Sequence, residues 1–194
     1  MLGYVPQFSE YETDVKMRGC LFDAVPLRAE DGYRFDPDAF IAALRPEHKL
    51  AYLDNPNNPT GVVYSRQTLE GLAELLRRKS TQFGHPIYLI ADEPYRELVY
   101  DGVEVPFLPT IYPNTLVCYS YSKSLSLPGE RIGYVCVPSC VEGQADVLHA
   151  VAGAARSSGH VCPPTLVQLA LQRCADARPD LAAYDANRRL LYRS

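Results

Sequence analysis

The stretch SYSKSLSLPGERIG, residues 120–133, follows the apolar run TLVCY, which has the composition of a β-strand. Lys123 is its only lysine. Ser120 and Ser122 lie just before this lysine, and Arg131 lies eight residues after it. A lysine amine can form a Schiff base with a carbonyl cofactor, while hydroxyls and a guanidinium group hold a phosphate on that cofactor. A solvated basic loop is the alternative interpretation, because short motifs recur by chance.

Two further stretches precede this one, and each also follows a strand-like run. DNPNNPTG at residues 54–61 follows LAYL, and DEPYREL at residues 92–98 follows IYLIA. Each has a structural alternative: NPTG is a good turn sequence, Asp92 can cap a turn, and Tyr95 is one of 14 tyrosines. Three such stretches in this order are a stronger signal than any one alone.

Together, NPTG from Asn58, the D-x-x-Y spacing of Asp92 and Tyr95, and SxSK at Lys123 with Arg131 resemble the class I/II pyridoxal-phosphate aminotransferases of fold type I. The resemblance covers essentially the whole chain and corresponds to the central part of the family's large domain. It implies an enzyme that uses pyridoxal 5'-phosphate to move an amino group between an amino acid and a 2-oxo acid. The family's members are typically homodimers.

The resemblance also implies a role for each motif residue. Asp92 would keep the cofactor's pyridine nitrogen protonated, and Lys123 would carry the cofactor and then act as general base. We expect these two side chains to reach opposite ends of one ring from adjoining strands. The implied catalytic residues are Lys123, Asp92 and Tyr95. The implied cofactor-binding residues are Asn58 and Tyr95 at the phenolic oxygen, Asp92 and Lys123, and Ser120, Ser122 and Arg131 at the phosphate.

Apolar strand-like runs, some separated by amphipathic helical patterns, predict a mostly parallel sheet in a three-layer α/β/α domain. Ligands of such sheets bind beyond the carboxyl ends of the strands, where the motif residues would converge. We expect one domain over residues 1–194, incomplete at both ends, whose last helix from about residue 179 begins the family's interdomain helix. The predicted strands are 18–27, 50–54, 87–92, 115–121 and 131–138, and the chain is predicted to enter a helix over 4–12.

Composition excludes several other classes. The 194 residues carry a net charge of −4 without a basic stripe, which argues against nucleic acid as a partner. No apolar run reaches the length of about 18 residues that a membrane helix needs, and the N-terminus lacks a signal-peptide pattern. The six cysteines form no CxxC pair, which predicts no metal site and a reducing, cytoplasmic setting.

The chain departs from the family pattern at both ends. Family members carry a phosphate-binding loop upstream and a carboxylate-binding arginine downstream, so we expect the isolated chain to bind the cofactor weakly. Two alternatives stay open beside the aminotransferase. One is a lyase or synthase on the same fold, such as a carbon–sulfur β-lyase or an aminocyclopropane-carboxylate-synthase-like enzyme. The other is an inactive truncated product.

Overall fold

The computed structural model describes residues 1–174 and 176–193 of the chain. Its framework is a six-stranded sheet with the strand order β2-β1-β3-β4-β5-β6. All neighbouring strands are parallel except β5 and β6, which are antiparallel. The predicted mostly parallel α/β sheet is therefore confirmed. The strands are β1 (Leu2–Val5), β2 (Asp23–Pro26), β3 (Leu50–Asp54), β4 (Tyr88–Asp92), β5 (Thr115–Ser120) and β6 (Gly133–Cys136).

Helices follow most of the strands. Three short 3-10 turns, at Ala29–Asp31, Leu108–Thr110 and Pro128–Glu130, complete the connections. No helix in the described part of the chain combines the length and apolar character needed to cross a bilayer. The helices are α1 (Glu10–Met17), α2 (Pro37–Ala42), α3 (Arg66–Phe83), α4 (Tyr121–Ser124), α5 (Gln144–Ser157), α6 (Thr165–Arg173) and α7 (Leu181–Arg193).

The longest helix, α3, shows why the sequence forms this layer. The Ser65 hydroxyl accepts a hydrogen bond from the Thr68 amide at 3.1 Å, which caps the N-terminus, and Gly84 ends the helix in the left-handed conformation. Leu69, Leu72 and Leu76 lie on one face at helical spacing and are buried. That face packs into the core formed by one side of the sheet, so α3 covers this side.

The two faces of the sheet carry different residues because strand side chains alternate. Ala51, Leu53, Leu89 and Ala91 belong to the core cluster that includes the leucines of α3. The alternate positions of β3 and β4 bring Tyr52, Asp54 and Asp92 to the opposite face, where α1 packs. The polar residues near the carboxyl ends of β3 and β4 are therefore separated from the main core by the sheet.

The first strand was not predicted. Residues 4–12 were expected to enter a helix, but Leu2–Val5 is a strand between β2 and β3, and the first helix begins only at Glu10. Tyr4 is fully buried. Its hydroxyl donates to the Asp54 carbonyl and accepts from the Asp54 amide, both at 2.6 Å. These non-local bonds favour the strand over the local helical pattern.

Four of the five predicted strands are shorter in the structure. The strand predicted at residues 18–27 is reduced to Asp23–Pro26, and the one at residues 87–92 begins at Tyr88. β5 ends at Ser120, one residue earlier than expected, because the Ser120 side chain caps the single-turn helix α4. The strand predicted at residues 131–138 is reduced to Gly133–Cys136 and runs antiparallel to β5. The chain therefore turns back on itself directly after Lys123, within the connection from α4 to β6.

The C-terminal part of the chain forms α5, α6 and the predicted last helix, α7, and none of the three contains a buried residue. Within α6, the Leu166 side chain is 79% exposed. Helix α7 contacts the sheet domain through Arg188, which pairs with Asp101 at 2.9 Å, and through Tyr184, which hydrogen-bonds Ser126 at 3.0 Å. The single-domain organisation and the identity of α7 as the start of an interdomain helix stay predictions.

Candidate functional site

Residues from all three sequence motifs lie at the carboxyl ends of the adjacent strands β3, β4 and β5. In the register of the sheet, Asp54 of β3 pairs with Asp92 of β4, and Asp92 pairs with Cys118 of β5. Asn58 lies four residues beyond β3, and Lys123 lies three residues beyond β5. The parallel order of these strands therefore gathers an acid, an amide and an amine at one edge of the sheet, as the sequence predicts.

Asp92 is a largely buried acid. Burial raises the pKa of its carboxyl group, and a hydrogen bond from the Tyr11 hydroxyl to Oδ2 at 2.6 Å acts in the opposite direction. The Tyr11 ring also lies 4.0 Å, centroid to centroid, from that of Tyr52. Sequence reasoning missed Tyr11, which lies on α1, 81 positions before Asp92. The only local signal was an aromatic residue in a helix that is otherwise mostly polar.

Asn58 and Tyr95 are held together by a direct side-chain hydrogen bond. The Asn58 side-chain amide donates to the Tyr95 hydroxyl at 3.1 Å. The Asn58 backbone amide donates to Oδ2 of Asp54 at 2.8 Å, and this bond anchors the loop after β3. Burial raises the pKa of the Tyr95 phenol, so the phenol stays a neutral hydrogen-bonding group. The two residues that were expected to share one cofactor oxygen are therefore neighbours.

Lys123 lies on the single turn α4, directly after β5. The Ser120 hydroxyl accepts from the Ser122 amide at 3.2 Å and donates to the Ser122 hydroxyl at 2.7 Å, which fixes the turn. The turn directs Nζ of Lys123 over the Tyr95 ring, 5.6 Å from its centroid. The three residues Lys123, Tyr95 and Asn58 therefore form one connected group. The two serine hydroxyls lie together beside it.

Arg131 is the predicted residue that stays apart from this group. Its guanidinium group is exposed and donates to the Pro128 carbonyl at 3.0 Å, within its own loop. Its backbone is left-handed, with φ of 51°. The antiparallel pair Ser120 and Gly133 nevertheless brings this loop back toward the serines, since Arg131 lies only two residues before Gly133. In the described residues, no hydrogen bond joins Arg131 to Ser120 or Ser122.

A buried ion pair between Glu93 and Arg96 stabilises the segment that carries Asp92 and Tyr95. Glu93 has a side chain that is 1% exposed, and its carboxylate accepts from Nε of Arg96 at 2.7 Å. The guanidinium group also donates to the carbonyls of Val105 and Pro106, both at 3.1 Å, and lies 5.2 Å from the Phe107 ring centroid. Arg96 thus ties the segment that carries Asp92 and Tyr95 to the next connection.

We expect Arg96→Met to lower the free energy of unfolding by about 3 kcal/mol, because it leaves the Glu93 carboxylate buried without its partner. Denaturant unfolding measures the loss. Arg66→Met is the matched control: Arg66 pairs with Glu70 at 3.7 Å on an exposed helix face, and its loss should cost less than about 0.5 kcal/mol. Similar losses in the two variants would contradict a bracing role for Arg96.

An open cavity of about 460 Å³ adjoins the Asn58–Tyr95 pair. Its wall includes Tyr100 and Arg188, the latter from α7. The guanidinium group of Arg188 is held bidentately by Asp101 at 2.9 and 3.1 Å and also contacts Asp185 at 2.6 Å. Two carboxylates already neutralise Arg188, so this arginine is part of the cavity wall and is not a free cation within it.

The donor set matches the chemical groups of pyridoxal phosphate. Asp92, for which the described residues offer no cationic partner, suits a protonated ring nitrogen. The Asn58–Tyr95 pair suits a phenolate oxygen, and the Lys123 amine suits an aldehyde carbon. The hydroxyls of Ser120 and Ser122 suit a phosphate oxygen. No group of three or more His, Cys, Asp or Glu side chains in residues 1–174 and 176–193 could hold a metal ion.

Known proteins resemble this chain along nearly its full length. A sequence model of the family "Aminotransferase class I and II" matches residues 2–193. The probable aspartate/prephenate aminotransferase of Thermus aquaticus is 33% identical over 97% of this chain and 46% of its own length. A crystal structure of an aminotransferase from Eubacterium rectale is 48% identical, with a TM-score of 0.93 over 99% of this chain and 48% of that one.

More distant structures share the same fold. A Thermus thermophilus aspartate aminotransferase variant is 30% identical, with a TM-score of 0.76 over 98% of this chain and 47% of that chain. The chain thus spans about half the length of the relatives that it matches. The family match, the curated relative and the solved structures agree with the motifs and with the sheet. The chain belongs to the class I and II aminotransferases.

Proposed function

We propose that this chain contributes the cofactor-binding core of a pyridoxal-phosphate-dependent aminotransferase. The observation that carries the proposal is the connected group in which Lys123 Nζ lies over the Tyr95 ring and Tyr95 is hydrogen-bonded to Asn58. Asp92 lies at the end of β4, the strand between the two that lead to Asn58 and Lys123. The amine and the buried acid thus follow adjoining strands, which supports the attachment and ring-nitrogen roles proposed for them.

Bound pyridoxal phosphate supplies an electron-withdrawing ring that stabilises negative charge at the α-carbon of an amino acid. The residues of this chain set the conditions for that chemistry. Asp92, with one oxygen held by Tyr11, offers a buried negative charge that keeps a proton on a ring nitrogen. Asn58 and Tyr95 offer two hydrogen-bonding groups for an oxygen on the same ring.

Lys123 has two roles in the proposal. Its amine is the covalent attachment point, and once it is free it accepts and returns the proton at the substrate's α-carbon. Ser120 and Ser122 orient the cofactor by binding its phosphate, and Arg131 joins them if its loop turns inward from its contact with Pro128. The substrates are an amino acid and a 2-oxo acid. A homodimer and a cytoplasmic setting are further proposals that rest on the family resemblance.

Reductive trapping tests the proposal even if cofactor binding is weak. The chain is incubated with pyridoxal phosphate, reduced with borohydride and digested, and the pyridoxyl adduct is located by mass spectrometry. The four lysines, Lys16, Lys49, Lys79 and Lys123, provide an internal control. We expect the adduct at Lys123, although Lys16 and Lys49 are more exposed. An adduct distributed according to exposure would contradict the proposal.

A second assay separates the aminotransferase from the other enzymes of this fold. The protein is supplied with pyridoxal phosphate, an amino acid and a 2-oxo acid. Formation of the new amino acid supports amino transfer, whereas release of ammonia or pyruvate from the amino acid alone indicates a lyase. Lack of both products together with an adduct at Lys123 would show that this chain binds the cofactor without completing a reaction.

A further inference from the structure

A second buried acid lies beside Asp92, and none of the sequence motifs assigns it a role. Asp54 is the last residue of β3 and the register partner of Asp92 on the adjacent parallel strand. Neighbouring strands lie about 4.8 Å apart, so the two carboxyl groups leave the same face of the sheet side by side. Asp54 is the more deeply buried of the two, with 1% of its surface exposed.

The two oxygens of Asp54 have different environments. Oδ2 accepts a hydrogen bond from the Asn58 backbone amide at 2.8 Å. Oδ1 is buried and has no hydrogen-bond partner in the described part of the chain. No Lys, Arg or His among the described residues forms an ion pair with this carboxyl group. One oxygen therefore anchors the Asn58 loop, and nothing compensates a negative charge on the other.

The surroundings of Asp54 favour its neutral form. Burial raises the pKa of the Asp54 carboxyl to about 8; the hydrogen bond from Asn58 lowers it, and the neighbouring Asp92 adds to the rise. The remaining titratable groups that face Asp54 are phenols, which stay neutral over the same pH range. They are Tyr4 from β1, Tyr52 from β3 itself, Tyr64 from the segment before α3, and Tyr95 after β4.

We propose that Asp54 is a positioning residue of the cofactor site: as a neutral carboxylic acid it holds the Asn58 loop and leaves Asp92 as the only carboxylate of the paired residues that end β3 and β4. This inference rests on the proposed function of Asp92 and Asn58. Two carboxylates side by side would repel each other, and Asp92 would take up a proton that the ring nitrogen needs. A neutral Asp54 prevents this competition while keeping its bond to Asn58.

Infrared spectroscopy of the chain without cofactor tests the protonation state directly. We expect the wild type to show a carbonyl band of protonated carboxylic acid, part of which disappears as the pH rises through about 8. Asp54→Asn should lack that part. In the control Asp92→Asn, the same component should remain but titrate at lower pH, because the neighbouring charge is gone. If the carbonyl band of Asp54→Asn were the same as that of the wild type at every pH, the proposal would be overturned.

Thermal unfolding gives an independent readout. When the pKa of a carboxyl group is raised in the folded state, the folded protein loses stability as the pH rises from the group's unfolded pKa of about 4 to its folded pKa. The Tm of the wild type should therefore fall relative to that of Asp54→Asn between about pH 4 and about pH 8, and the difference should stay constant above that range. Parallel Tm curves would show that Asp54 is ionised in the fold.

Trapping at Lys123 tests the positioning role. Asp54→Ala removes the acceptor for the Asn58 amide, and we expect the pyridoxal phosphate concentration for half-maximal trapping to rise about tenfold. Asp54→Asn keeps a neutral acceptor, so its concentration for half-maximal trapping should stay close to that of the wild type. Equal trapping by the two variants would contradict the role. If the wild type forms no Lys123 adduct while the infrared and unfolding results hold, the proposed function fails and the neutral acid stands.

Discussion

Lys123→Arg is expected to eliminate the pyridoxyl adduct and to lower any amino transfer by the protein by about 10⁴-fold. Arginine stays protonated and cannot attack an aldehyde or accept a proton from an α-carbon. It keeps the positive charge that lies over the Tyr95 ring, since guanidinium groups also stack on aromatic faces. The substitution therefore removes the chemistry of the amine while preserving its packing.

Mass spectrometry of the reduced, digested chain measures the adduct, and the rate of new amino acid formation measures the transfer. Lys49→Arg is the matched control, because Lys49 is exposed and precedes β3 at the opposite end of the strand. Its adduct yield and rate should match those of the wild type. If Lys123→Arg kept a comparable rate, another residue would have to act as the base.

Asp92→Asn is the second change with a large expected effect: a 100- to 1000-fold lower amino transfer rate, the order found when one preorganised electrostatic group is removed. The amide oxygen still accepts from Tyr11 at the same place, so α1 stays docked. What is lost is the negative charge that keeps a proton on the ring nitrogen. Trapping at Lys123 should persist, because the amine and its serine-capped turn are unchanged.

Comparison of the two variants makes the assignment specific. Lys123→Arg should lose both trapping and transfer, whereas Asp92→Asn should lose transfer alone. Tyr11→Phe is the control for indirect effects: it removes one hydrogen bond to Asp92 but leaves the charge, so its loss should be much smaller. An Asp92→Asn rate within a few-fold of the wild type would show that this carboxylate does not pair with the ring nitrogen.

The parts of the fold that could be predicted from sequence are those that depend on residues close together in the chain. Ser65 and Gly84 bound α3, and both are signals of this local kind, because a cap and a left-handed glycine act over a few residues. The runs ending at Asp54 and Asp92 are strands with polar side chains at their carboxyl ends. Parallel strands of an α/β sheet end at a common edge, so the neighbourhood of the motif residues follows without further information.

The missed parts depend on contacts between distant segments. β1 is only four residues long and is stabilised by β2 and β3 on either side, which no local pattern shows. The bond from Tyr11 to Asp92 joins residues 81 positions apart. The pairing of Asp54 with Asp92 requires the register of two strands, which becomes visible only once the sheet is assembled.

That register also limits how the length of this chain can vary. Five residue pairs, from Leu50 with Tyr88 to Asp54 with Asp92, align β3 and β4. Deletion of a single residue of β4 before Asp92 would turn Asp92 toward the leucines of α3 and bring Glu93 into its place. Insertions and deletions compatible with the same chemistry should therefore be confined to connections such as residues 158–164, between α5 and α6, which are exposed.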